Sequence, residues 1–144
     1  MSPALFIDRA TGCVRIGSSV VLQAHQTKAD VETQARNLVA GSQDHGNGYE
    51  WIRLRGLTFG GQPATLMLYF HNDMLKQIAW SVQLHGAPME GGWPTQEAID
   101  NELTFVRETL DRDMSIREGS TPWGEIWSHF DAKGFMAANG LSYR

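Results

Sequence analysis

Between residues 49 and 84 the chain alternates apolar and polar residues in three successive runs, a pattern that points to an antiparallel sheet. Tyr49, Trp51 and Arg53 alternate with Glu50, Ile52 and Leu54, and Leu66, Leu68 and Phe70 alternate with Met67, Tyr69 and His71. Ile78, Trp80, Val82 and Leu84 then alternate with Ala79, Ser81 and Gln83. Successive side chains on a strand point to opposite faces, so each run has one face to bury and one to leave wetter. Gly60-Gly61-Gln62-Pro63 and Asn72-Asp73 separate the runs. Connections this short join antiparallel neighbours, because a parallel crossover needs a dozen residues or more. Trp80, in the cleanest alternation, is expected in the core.

The flanking segments supply the rest of the fold. Leu5-Phe6-Ile7 and Cys13-Val14-Arg15-Ile16 read as a hairpin turning through Gly12, with Val20-Val21-Leu22 as a short extended piece after it. Thr27 offers a hydroxyl N-cap and Asp30 an acid in the first turn of a helix. Val31, Ala35, Leu38 and Val39 mark its apolar face, and Gly41 is placed to end it. Residues 41–48 then read as a polar, glycine-rich loop, and residues 85–94 as a second loop carrying Trp93. Thr95 caps a second helix whose Ile99, Leu103, Val106 and Leu110 lie opposite Glu97, Asn101, Glu108 and Asp111. That helix should end near 113–115. Residues 123–131 and 140–144 are expected to form two closing strands joined by 132–139.

The resulting order, ββ-α-βββ-α-ββ, belongs to the α+β class. It predicts a mostly antiparallel sheet with two amphipathic helices on one face and the other face open to a partner. With 144 residues, 42% hydrophobic and 19% charged, the chain fits one domain spanning 1–144. Cys13, the single cysteine, has no internal disulfide partner and is read as an inert thiol in a strand. The first eight residues lack a basic region and a long apolar run, so neither a signal peptide nor a membrane span is expected there. A cytoplasmic location follows as the expectation. A formal net charge of -4 argues against a nucleic-acid surface and suits a basic protein partner.

Catalytic constellations are hard to build from these residues. The five histidines are scattered, without the i, i+4 spacing that puts two imidazoles on one metal ion. Ser128-His129-Phe130-Asp131 holds the residue types of a hydrolytic triad, but in a strand Ser128 and His129 face opposite ways. The Gly46-Asn47-Gly48 and Gly60-Gly61 pairs open strands rather than helices, so they lack the helix N-terminus of a phosphate cradle. Glu97, Glu102, Glu108 and Asp111 read as a solvated helix face. No metal, no cofactor and no enzymatic activity are expected. Binding is the better reading, and tryptophans are its natural anchors: Trp51, Trp93, Trp123 and Trp127 start strands or sit in loops. Trp93, between Gly92 and Pro94, should be the most exposed. Trp123 and Trp127 are expected to share a strand face, with at least one of them in the core.

The stretch Pro122-Trp123-Gly124-Glu125-Ile126-Trp127-Ser128-His129-Phe130-Asp131-Ala132-Lys133-Gly134, closing in Leu141-Ser142-Tyr143, resembles a pattern in small bacterial immunity proteins of interbacterial (polymorphic or type VI) toxin systems. That resemblance implies a protein that binds a cognate toxin or effector and occludes its active site. Such a protein would be a monomer or weak homodimer when free. The candidate contact residues are Asp44, Glu50 and Trp51 around the first loop, Glu90 and Trp93 in the second, and Glu118. The alternatives are a small-ligand or envelope-assembly module, and an enzyme whose residues meet only in the fold.

Overall fold

In the computed structural model, which describes residues 2–144, the chain begins with three short strands, β1 (Leu5–Ile7), β2 (Val14–Ile16) and β3 (Val20–Leu22). Helix α1 (Lys28–Gln34) follows, then a 3-10 turn (Arg36–Leu38) and β4 (Val39–Asp44). The predicted meander comes next as β5 (Tyr49–Phe59), β6 (Gln62–His71) and β7 (Met74–Val82). A small hairpin of β8 (Met89–Glu90) and β9 (Trp93–Pro94) leads into α2 (Gln96–Met114). Strands β10 (Gly119–Thr121), β11 (Gly124–Asp131) and β12 (Met136–Tyr143) complete the chain.

Seven strands form one antiparallel sheet in the order β10-β11-β12-β7-β6-β5-β4, and β1-β2-β3 form a second, smaller sheet. The α+β class, the antiparallel pairing and the two helices agree with the sequence reading. Buried positions Ile52, Leu54, Leu66, Leu68, Phe70, Ile78, Trp80 and Leu141 share one face of the large sheet. They form a single cluster with the inward residues of β1–β3, with Val31 and Ala35 of the α1 region, and with Val106 and Leu110 of α2. The small sheet and both helices therefore cover the same face. Two bulges keep the long strands in register with that core. At Arg55-Gly56 the buried set of β5 shifts from Ile52 and Leu54 to Leu57 and Phe59, and β7 shifts likewise between Leu75 and Ile78.

Helix α2 matches its sequence signals. Thr95 Oγ1 accepts the Ala98 N–H at 3.2 Å, and Ile99, Leu103, Val106 and Leu110 are all buried. Ser115 closes the helix in the left-handed conformation at φ 56°, and the Ile116 N–H returns to Leu110 O.

Helix α1 departs from expectation. Thr27 caps it through the Asp30 N–H, but the helix stops at Gln34, and Val39–Asp44 pairs with β5 instead. Asn37, Val39, Gly41 and Ser42 are weak helix formers, and a ladder of five residue pairs outweighs one more turn with little apolar surface to bury. Gly41 thus faces Arg53 across a ladder rather than capping a helix. The first loop shrinks to residues 45–48, the second contains the β8–β9 hairpin, Val20–Leu22 is a full strand, and the last strand starts at Met136. Cys13 precedes β2 rather than lying in it. Trp80 is buried at 3% exposure, as expected. Trp123 and Trp127 do not share a strand face: Trp123 sits in the β10–β11 turn and Trp127 within β11. Both are half-buried, and Trp123 packs against the core.

The C-terminal strands also fasten the first hairpin. Trp123 Nε1 donates to Arg9 O at 2.9 Å, and the Tyr143 hydroxyl donates to Gly12 O at 2.6 Å.

Candidate functional site

The face of the large sheet that neither helix covers is formed by the residues alternating with the core positions. It carries Trp51 and Arg53 on β5, Met67, Tyr69 and His71 on β6, Gln77, Ala79 and Ser81 on β7, Ala138 on β12, and Trp127 on β11. Aromatic groups pair across it. Trp51 stands directly opposite Tyr69, and the rings of Tyr49 and His71 stack with centroids 4.2 Å apart. Thr65 and Ser81 share a hydrogen bond of 2.8 Å between their hydroxyls. Trp127 overhangs Gly140 on the neighbouring strand, where the missing side chain leaves room for the indole. A depression of about 330 Å³ lies here, lined by Met67, Tyr69, Ala79, Trp127, Asp131 and Met136 among others. Burial raises the Tyr69 phenol above its ordinary pKa, so it remains a neutral hydroxyl at physiological pH. A face rich in aromatics and methionine with few charges has the composition of a protein-binding surface rather than a solvated one.

A second apolar feature stands near the start of α2. Trp93 is 72% exposed and faces Glu90 across the β8–β9 hairpin. With Phe135 and Gly134 these residues border a cleft of about 470 Å³, and Phe135 packs edge-on against Phe130 at 5.5 Å. Phe130, Phe135 and the adjoining Met136 are all substantially exposed. Met136 also borders the depression on the open face, so the two apolar regions adjoin.

The sequence-predicted contact residues fall on separate parts of the surface. Trp51 lies on the open face. Asp44 and Glu50 pair across the β4–β5 hairpin on the helix side, and Lys28 offsets their repulsion with a 2.9 Å ion pair to Glu50. That hydrogen bond to Glu50 is the main reason the Lys28 ammonium titrates above its usual range. Glu90 and Trp93 occupy the small hairpin. Glu118 serves an internal clamp: it takes Arg107 Nε at 2.7 Å and the Ser128 N–H at 3.2 Å, while Arg107 Nη2 donates to Ser128 O at 2.6 Å. Sequence reading missed Met67, Tyr69 and the Phe130–Phe135 pair. The signal was present, since Met67 and Tyr69 hold the open-face positions of a strand whose alternation had been recognised.

The polar residues under α2 are built into the packing. Ser128 Oγ donates to Asn139 Oδ1 at 2.6 Å, and Asn139 Nδ2 reaches Glu102 Oε2 at 3.1 Å and Trp80 O at 3.3 Å. The same carboxylate oxygen accepts the Val82 N–H at 3.0 Å. Burial raises the Glu102 pKa, and these hydrogen bonds oppose the rise. Ser128 is buried while His129 is exposed on the other side of the strand, so the hydroxyl and the imidazole do not meet. Among the described residues no group of three or more His, Cys, Asp or Glu side chains is placed to hold a metal ion. Among the same residues no helix is long and apolar enough to cross a membrane.

No protein-family model and no curated protein sequence matches this chain. A solved structure does. The backbone is similar to a chain in the structure of Rhs1-CT in complex with cognate immunity protein RhsI1, with a TM-score of 0.59 at 14% sequence identity. The match covers 97% of this chain and 87% of that one. The likeness is one of fold.

Proposed function

We propose that the protein is an immunity-type binder that captures a cognate toxin and neutralises it by covering the toxin's active site. The observation that carries the proposal is the shared fold with a chain of a toxin–immunity complex, over nearly the full length of this chain. The open face supports it independently: a sheet surface bearing Trp51, Met67, Tyr69 and Trp127 offers aromatic anchors in a setting that excludes water on contact. Trp93 and Glu90 extend the contact area at the α2 end, with Asp44 and Glu50 at the opposite margin. A net charge of -4 speeds encounter with a basic toxin cleft and adds less to final affinity.

The test is co-expression with the product of the neighbouring gene, with growth and co-elution as readouts. Rescue of growth together with a stable complex at micromolar concentration is expected. Independent elution and no rescue would overturn the proposal. Trp127→Ala and Trp93→Ala then locate the contact, each expected to weaken binding by about 10-fold or more if it anchors the interface.

A further inference from the structure

An exposed strand edge is a row of unpaired donors and acceptors, and folded chains close such edges. This one closes all but one of its longer edges. On β3, the Val21 N–H donates to Gln34 Oε1 at 3.1 Å, and Val21 O accepts from Gln26 Nε2 at 3.4 Å. On β1, the Ile7 N–H points at Met114 Sδ at 3.5 Å, and the segment before the strand docks on β5 through Thr58 N to Pro3 O. On β10, only three residues long, Thr121 O accepts from Arg144 Nη2.

β4 is different. The His45 N–H donates to Tyr49 O, which sets the phase of the β4–β5 ladder. Gln43 and Gly41 are then the bonded positions, and Ser42 and Asp44 turn their backbone groups outward. Ala40 O accepts from Arg53 Nη2 at 3.4 Å, but among the described residues no side chain bonds the outward groups of Ser42 and Asp44, and β4 carries no proline or lysine to repel an incoming strand. Beside this edge runs a groove of about 570 Å³ between β4 and α1, lined by Glu32, Thr33, Arg36, Val39 and Ser42. Glu32 lies 3.8 Å from Lys28, whereas Arg36 makes no ion pair among the described residues. Arg36 is thus an unpaired cation in the groove, beside Glu32, whose neighbour Lys28 is held at 2.9 Å by Glu50.

We propose that the outer edge of β4 receives an extended segment of the toxin partner as an eighth strand of the large sheet. This inference rests on the toxin-binding reading above. Main-chain bonds to Ser42 and Asp44 supply affinity, and alternate side chains supply specificity. Residues facing Ser42 enter the α1 groove, where Arg36 selects an acidic side chain. Their neighbours fall on the open face beside Gln43 and Trp51, which pair across the ladder, and there an apolar side chain fits. The recognised segment is therefore extended, with acidic or polar residues alternating with apolar ones.

Amide hydrogen exchange on the full-length chain, with and without the neighbouring gene's product, reads this directly. The Ser42 and Asp44 amides should exchange rapidly in the free chain and slow by at least about tenfold in the complex. Ser42→Pro removes one outward donor at a position where an edge strand tolerates proline, and Arg36→Glu reverses the groove charge. Each should weaken binding by about tenfold with the thermal melt preserved. Should Ser42→Pro fail to fold, the exchange data and Arg36→Glu decide. A complex in which both amides exchange as they do in the free chain overturns the edge and leaves toxin binding standing. Protection that instead grows with concentration of the chain alone assigns the edge to a second copy and overturns it too. The absence of any complex removes the toxin-binding reading and this inference together.

Discussion

Trp127 occupies the volume that a side chain on Gly140 would need: a Cβ built there lies 2.7 Å from Trp127 Cζ2 and 3.0 Å from Ile78 O. One contact is with a side chain that can move, the other with backbone that cannot. Gly140→Ala is expected to push the indole out of the open face and to cost about 1–3 kcal/mol, since overpacking is relieved only by shifts. Urea denaturation gives the stability, and tryptophan emission reports the displaced ring. Unchanged emission would mean that Trp127 is held elsewhere.

Glu102 makes stability fall as pH rises. Its folded pKa is raised by burial, so between its ordinary value near 4.5 and the raised value the folded state holds more of the proton than the unfolded state. The desolvation penalty is absent below that window and fully present above it. Glu102→Gln removes the charge while its amide oxygen can still accept from Val82 N and Asn139 Nδ2. Thermal melts from pH 4 to 8 should show the variant gaining on the parent as pH rises. Glu102→Ala orphans the Val82 N–H and leaves Asn139 Nδ2 with Trp80 O alone, and should lose about 1–3 kcal/mol.

Thr109 offers an improvement. Its hydroxyl is buried with no hydrogen-bond partner among the described residues, beneath the β5–β6 turn at Gly60. Thr109→Val keeps the shape and removes an unsatisfied polar atom, for a gain of about 1 kcal/mol. Differential scanning calorimetry should show a rise of a few degrees in Tm.

Tyr143→Phe tests the fastening of the first hairpin. Loss of the bond to Gly12 O leaves a buried carbonyl without that donor and should cost about 1–2 kcal/mol. Hydrogen exchange should accelerate in β1 and β2 before the seven-stranded sheet is affected.

The elements read correctly from sequence were those whose signal is local and redundant. Thr95 and the apolar stripe from Ile99 to Leu110 each mark α2 independently. The meander was legible from alternation alone. Val39–Asp44 was not, because Val39 fits a helical stripe as well as a strand, and only the ladder offered by β5 decides between them. Arg55-Gly56 hid its bulge for a similar reason: nothing in that pair shows that the buried set changes phase there. Trp93 was placed from its glycine and proline neighbours alone. Nothing in the sequence around Glu118 shows its ion pair with Arg107, which lies eleven residues earlier on α2.

The contacts that fasten the first hairpin also set an order of events in synthesis. Arg9 and Gly12 wait for Trp123 and Tyr143, 114 and 131 residues further along, and the Ile7 amide waits for Met114, 107 residues on. Until those residues have emerged from the ribosome, β1–β3 lack partners for these groups, and before α2 emerges the core face of the meander is only partly covered. Contacts of such long sequence separation are expected to form late in folding. For a chain proposed to disarm a toxin, protection dates from the emergence of β12 rather than from that of the first strands.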